Sequence, residues 1–490
     1  MKPPLSSSHP ANTPDIPASR ERAEIDSSTR LPVLLFFGSA IFWLLLGSLL
    51  GLVSAWKMTH PAFLDQMAWL TFGRLRPAHM NTVVYGWASA AGIGVGLWLM
   101  ARLCRIPLIH SKLLVSAAIF WNIGVLVGVL GILAGDSRSI EWLEFPGYAT
   151  PILFIAYALI GIWAIIMFRY RKPGHVYVSQ WYLLAAFLWF PWLYATANIL
   201  LVWQPIQGSA QGAVNWWFAH NVVGLWFTPI GLASAYYMIP KVIGRPICGY
   251  HLSVLGFWSL ALFFSWTGMA HLIGGPFPAW MISASVAASV MMFVPVVAVA
   301  INHSMTMRGH FDALKSSPTL RFTVFGAMAY TIASLQGASM AIPSLNTITH
   351  FTDYTIGHSH LGLYAFFTMM MFGAMYYIVP RLTGWEWPSA AAIRWHFWLV
   401  ATGIVLMVVA LTIGGILQGL AQYDPQSTFQ ASLELATPFR WVRGISGFLL
   451  LAGHIVFAAL FLVMVLKIGH RRAEPALLGD PSDAHPEVVE

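Results

Sequence analysis

The sequence predicts an all-α membrane protein: about twelve transmembrane helices in a bundle with pseudo-threefold order. Three observations carry this expectation. Of the 490 residues, 58% are hydrophobic and only 9% charged, against about 25% charged in a soluble domain, so most of the surface must face lipid. Twelve apolar stretches reach the roughly 20 residues that cross a hydrocarbon core. Histidines at 79, 220 and 360 stand 141 and 140 residues apart, four helices each time, which is the mark of an internal repeat.

The elements follow in order. Residues 1–31 are polar and rich in Pro and Ser, lack the apolar core of a signal peptide, and read as a disordered cytoplasmic tail. Apolar spans fall at 33–56, 80–103, 112–134, 150–168, 179–203, 214–239, 252–274, 279–302, 319–341, 355–379, 395–420 and 443–467, within a membrane domain of 32–468. Residues 469–490 read as a second cytoplasmic tail. With both termini on one side, that side holds 20 Lys and Arg and the other holds 6, which predicts cytoplasmic termini. The net charge of +8 is thus a matter of topology toward the lipid bilayer, and nothing points to nucleic acid.

No Asp or Glu falls inside these spans, which counts against a cation-coupled transporter. The 23 Trp and 31 Phe suit interfacial belts and packing around a large planar ligand. Cys104 and Cys248 form no CxxCH or paired-cysteine motif, so a covalent haem or dicopper centre would belong to another subunit.

Five histidines converge by topology. His79 begins the second span, His220 lies in the first turns of the sixth, and His358 and His360 begin the tenth. All three spans start on the outer side, while the seventh runs the other way and carries His271 near its outer end. The five side chains therefore share one depth. His358 and His360 are about 200° apart around a helix, so they cannot chelate one metal but can reach two planar cofactors. Imidazole is a common axial ligand of haem iron. His360 and His79 can share a six-coordinate low-spin haem; His358 can hold a second haem from one side, leaving its far face open toward a further metal at His220 and His271. The bundle would thus enclose two haems.

Tyr236 and Tyr376 each follow their repeat histidine by 16 residues, supporting three four-helix units about a pseudo-threefold axis. His350 can hydrogen-bond a haem propionate. Arg74 and Arg76 can pair with propionates or serve as ordinary interfacial anchors. His303, His310, His396, His454 and His470 show no pattern and read as interfacial.

These residues carry a resemblance. FGRLRPAHMN around His79, WWFAHNVVG around His220 and THFTDYTIGHSHLG around His358 and His360 are similar to haem–copper oxidase subunit I, closest to the cbb3-type branch. So are the endings SAYYMIPKVIG and AMYYIVPRLTG and the entry TPFRWVRGISG to the last helix. The resemblance covers about residues 32–468. It implies that His79 and His360 ligate a low-spin haem b, that His358 is the proximal ligand of a high-spin haem, and that His220 belongs to a copper site. It also implies a respiratory-chain protein of a bacterial-type cytoplasmic membrane, with membrane-anchored cytochrome c subunits as donors and O₂ or NO as ligand.

Three departures fall at the reaction centre. The family pairs two adjacent histidines on the seventh helix; here they are Ala270 and His271. Its cross-linked redox tyrosine is replaced by Phe264, and a carboxylate near the proximal histidine by Gln336. Two imidazoles hold Cu(I) more weakly than three, and Cu(II) prefers four ligands. Without the tyrosine, full reduction of O₂ needs another electron donor, such as Trp266 or the low-spin haem. The leading expectation is a cbb3-like oxidoreductase with an incomplete copper site and no assigned catalytic tyrosine. The alternatives are a nitric oxide reductase-like enzyme, against which Gly224 stands where a Glu is usual, and a non-catalytic haem subunit for electron relay or gas sensing. A proton route would need water with groups such as Tyr330 or Thr331.

Overall fold

In a computed structural model, which describes residues 16–471, twelve long helical segments follow one another. They are α1 Ile16–Lys57, α2 Phe72–Cys104, α3 Ser111–Ala134, α4 Thr150–Arg169, α5 Val178–Trp203, α6 Ser209–Ile243, α7 Tyr250–Leu272, α8 Ala279–Met307, α9 Pro318–Met340, α10 Asp353–Thr383, α11 Ala390–Tyr423 and α12 Phe429–Val465. All but α9 are long and apolar enough to cross a membrane by themselves. In α9, Thr319 and Thr323 are wholly buried, so its polar positions meet protein rather than hydrocarbon. Two chain ends meet the α10–α11 turn: Arg30 donates to the carbonyls of Leu382 and Thr383, and Glu386 N–H donates to His470 O.

The helices form a centre and a ring. Within their most apolar windows α2, α6 and α10 are 94%, 89% and 83% buried, whereas the other eight apolar spans reach at most 50%. These three central helices carry His79, His220 and His358/His360. Each also breaks into a wider π-helical stretch soon after its histidine: Thr82–Ala88, Val223–Phe227 and Leu361–Thr368. Such stretches are rare and gather at functional sites, and their recurrence agrees with the threefold repeat.

Two features depart from the sequence-based expectation. Helix α1 reaches back through residues 16–31, where composition alone predicts a disordered tail; residues 1–15 and 472–490 lie outside the described residues. Its polar first turns are held by charges on neighbouring elements: Glu21 meets Arg105 and Lys172, and Asp26 meets Arg102 at 3.1 Å and Trp98 Nε1 at 2.9 Å. Helix α10 begins at Asp353, whose buried carboxylate pairs with Arg440 at 2.8 Å. Carboxylates therefore do sit at span ends, each neutralised by an arginine, as burial of charge requires.

Candidate two-haem centre

Two cavities lie on opposite sides of α10. His360 and His79 line the larger, with Arg76, Arg443, Tyr364 and His454. His358 lines the smaller, with His220, His271 and His350. The two-residue spacing on one helix thus divides the pair between two spaces.

The orientation of each imidazole is set by its Nδ1. His79 Nδ1–H donates to Gly47 O (2.7 Å) and His360 Nδ1–H to Ile356 O (2.8 Å). His358 Nδ1–H donates to Gln336 Oε1 (3.2 Å). His220 Nδ1 lies 2.8 Å from Thr267 Oγ1, whose own hydrogen goes to Phe264 O (2.8 Å), so the threonine accepts. In all four rings Nε2 keeps its lone pair, the state a metal-ligating histidine needs. Helix α1 comes close enough that a Cβ at Gly51 would lie 2.5 Å from the His79 ring; only glycine leaves room for that imidazole beside the cavity. The residues of the larger cavity therefore fit a planar cofactor held from both sides.

The smaller cavity is poorer in donors. His220 and His271 stand with ring centroids 5.4 Å apart, and His271 stacks on Trp216 at 4.1 Å and 12°. Phe264 packs 4.6 Å from the His220 ring. Ala270 is buried, its N–H bonded to Ser285 Oγ at 2.8 Å. Among the described residues no three His, Cys, Asp or Glu side chains converge to hold a metal ion. His350 lines this cavity, its Nδ1 3.2 Å from Asn346 Oδ1, and burial pulls its basicity below the usual histidine range.

Other expected site residues separate. Arg76 lines the larger cavity and meets Glu141 at 3.5 Å. Arg74 turns away and donates to Leu133 O at the end of α3 (3.0 Å), because residues two apart on a helix point about 200° apart; it has the helix-capping role open to basic side chains. Trp266 is 57% exposed on the protein surface and lines neither cavity; Trp216 stacks on His271 beside the smaller one, and Trp87 and Trp142 line the larger. Three of the histidines expected at the interface, His303, His396 and His454, are buried. Thr267, Arg443 and Tyr364 join the site without having been singled out by sequence. The first lies in the helix that carries Phe264 and His271, and Arg443 lies within TPFRWVRGISG; only Tyr364, one turn after His360, had a spacing that could have revealed it.

On the loop before α4, Glu144 is buried and accepts from Asn81 Nδ2 at 2.9 Å. Burial pushes its carboxyl up to about 7, with the Asn81 hydrogen bond only partly offsetting this.

A ring of lipid-facing helices around three buried, histidine-bearing ones, with two cavities back to back, defines a membrane oxidoreductase subunit of the haem–copper type. Comparison with known proteins agrees. Residues 32–449 match the family described as cytochrome c and quinol oxidase polypeptide I, and the chain belongs to that family. It is 31% identical to "cytochrome c oxidase subunit 1 homolog, bacteroid" of Bradyrhizobium diazoefficiens, over 95% of this chain and 88% of that protein. It is 32% identical to "Cbb3-type cytochrome c oxidase subunit CcoN1" of Stutzerimonas stutzeri, over 85% and 91% respectively. A nitric oxide reductase chain of Stutzerimonas stutzeri shares 25% over 87% and 91%. A solved haem–copper terminal oxidase dimer superposes with a TM-score of 0.72 at 16% identity, covering 94% of this chain and 86% of that one; at that identity it speaks to fold.

Proposed function

We propose that this chain is the haem-carrying subunit I of a cbb3-like terminal oxidase whose reaction centre lacks a complete copper site. In this reading His79 and His360 would hold a low-spin haem b in the larger cavity and His358 a high-spin haem in the smaller; the first would take electrons from a membrane-anchored cytochrome c subunit, and the second would bind O₂ or a related gas. The termini face the cytoplasm of a bacterial-type membrane, a reading supported by the Lys and Arg distribution. The observation that carries the proposal is the division of His358 and His360 between two cavities across one central helix.

The residues have separate tasks. His79 and His360 would ligate the low-spin haem through Nε2, and His358 the high-spin haem. Arg76 and Arg443 place positive charge on the larger cavity, where they would neutralise propionates. His350 would hydrogen-bond a propionate beside the smaller one. The haems supply electron transfer and gas binding. Thr267 fixes His220, and Gln336, being neutral, polarises His358 less than a carboxylate would.

The second reading, nitric oxide reduction, is favoured by Phe264. Its ring occupies the tyrosine position and carries neither a hydroxyl proton nor usable redox chemistry, and joining two NO molecules needs no tyrosine. Gly224 opposes this reading, because a Cβ there would run into the Phe264 ring, leaving no room for a glutamate.

Counting iron and copper in the detergent-purified protein tests both. Two irons per chain with copper well below one is the expected result. Three irons would move the assignment to nitric oxide reduction, and one full copper would restore a complete oxidase centre. Fewer than two irons in a fully loaded preparation would overturn the two-haem reading.

A further inference from the structure

His454 is buried on α12, far in sequence from the ligand histidines, yet it lies on the wall of the larger cavity together with Ser48 and Tyr364. Its hydrogen bonds define its state. Ser48 Oγ is 2.6 Å from Leu44 O and commits its hydrogen there, so at 2.7 Å from His454 Nδ1 it can only accept. Nδ1 therefore carries the hydrogen. Nε2 is left as an acceptor for the Tyr364 hydroxyl at 2.5 Å. Tyr364 stands on α10 one turn after His360. The result is a neutral imidazole, buried and held from both ends, beside the space between His79 and His360.

We propose that His454 is a proton-holding group tied to the redox state of the low-spin haem, with Tyr364 as the partner that lets it switch. This rests on the assignment of that haem to His79 and His360. On arrival of one electron from the donor at that haem, His454 gains one proton from the medium at Nε2. The Tyr364 hydroxyl then turns, and its oxygen accepts from the new Nε2–H. Ser48 needs no change, because Nδ1 remains a donor. On oxidation the electron leaves toward the high-spin haem and the proton returns to the medium. Charge stays balanced in the low-dielectric interior, where an uncompensated electron is costly. The single hydroxyl rotor lets His454 keep a partner on each ring nitrogen in both protonation states, which a buried polar group requires, while the Tyr364 hydrogen turns toward the cavity that Tyr364 lines.

The surroundings name the competitors. Facing His454 are Ser48 from α1, Tyr364 and Phe372 from α10, and the more remote His396 from α11, which bonds Tyr376. The cavity wall adds Arg443 on its own helix, and Arg76 with Glu141. Arg76 and Glu141 are paired with each other. Of the groups on this wall that are not ligands, His454 is the one with two satisfied protonation states.

The test is a spectroelectrochemical titration of the low-spin haem α-band across pH 5.5–9 in the purified protein and in His454→Gln and Tyr364→Phe. One proton per electron moves the midpoint by about 59 mV for each tenfold change in proton activity. The wild type should approach that slope over part of the range, and His454→Gln should lose it with haem content unchanged. Tyr364→Phe should keep the slope but shift its break to lower pH, because protonated His454 loses a charge-assisted acceptor, the stronger of the two bonds. A flat wild-type profile overturns the proposal. So does an unchanged slope in His454→Gln; if that variant fails to load haem, an unmoved break in Tyr364→Phe does so instead. A wild type without a low-spin α-band overturns the haem assignment itself, a separate failure.

Discussion

At the scale of single residues, the reaction centre turns on Phe264. Its ring lies against His220 and also fills the space that a side chain at Gly224 would need. Phe264→Tyr should place a hydroxyl beside His220 with little change in packing. We expect O₂ consumption to rise about tenfold, equivalent to ~1.4 kcal/mol of barrier, measured polarographically with a reduced cytochrome c donor. An unchanged rate would mean that the incomplete metal site, and not the missing hydroxyl, limits turnover. The five histidines were legible because a strongly polar ring recurring at one depth in apolar helices stands out. The roles of Arg74 and Arg76 were not, since both begin the same helix and only packing decides which one faces the cavity.

At the scale of elements, the loop between α3 and α4 carries a titration. Glu144 sits near 7 in the folded protein against 4.5 for an ordinary glutamate, chiefly through burial. Because the folded value is raised, the contribution to stability is complete below pH 4.5 and is lost as pH rises through 7. Glu144→Gln keeps a hydrogen-bonding side chain next to Asn81 and removes the charge. It should match the wild type near pH 4.5 and melt at a higher temperature at about pH 8, read by the thermal loss of haem absorbance. A lower melting temperature for the variant under those alkaline conditions would show that ionised Glu144 has a stabilising partner. Helix limits were only partly legible. Apolar stretches of about 20 residues located the helical segments, but the start of α1 is fixed by Glu21 and Asp26 reaching charges more than 70 residues away, a signal no local window contains.

For the whole molecule, the chief claim still open to a direct test is orientation. The cationic excess on the terminal face predicts that a fluorescent-protein fusion after residue 490 will fluoresce in the cytoplasm of intact bacteria. A periplasmic alkaline phosphatase reporter that is active at the same point would reverse the topology. The architecture itself was legible, since composition, spacing and the repeat agreed on twelve helices around a threefold centre. What escaped was the interior chemistry of the outer helices. His396 and His454 are solitary in apolar runs, and their partners Tyr376 and Tyr364 come from another helix. Pairing across a bundle leaves no periodic trace in either segment of sequence.

The π-helical stretches after His79, His220 and His360 have a genetic meaning. Each behaves as a helix with an extra residue, and removing one residue from an α-helix rotates everything on one side of the cut by about 100°. A one-codon deletion within 82–88, 223–227 or 361–368 would therefore be absorbed by relaxing the wide turn to an α turn, whereas the same deletion in the α-helical turns that carry the histidines would swing a cofactor-facing ring away from its cavity.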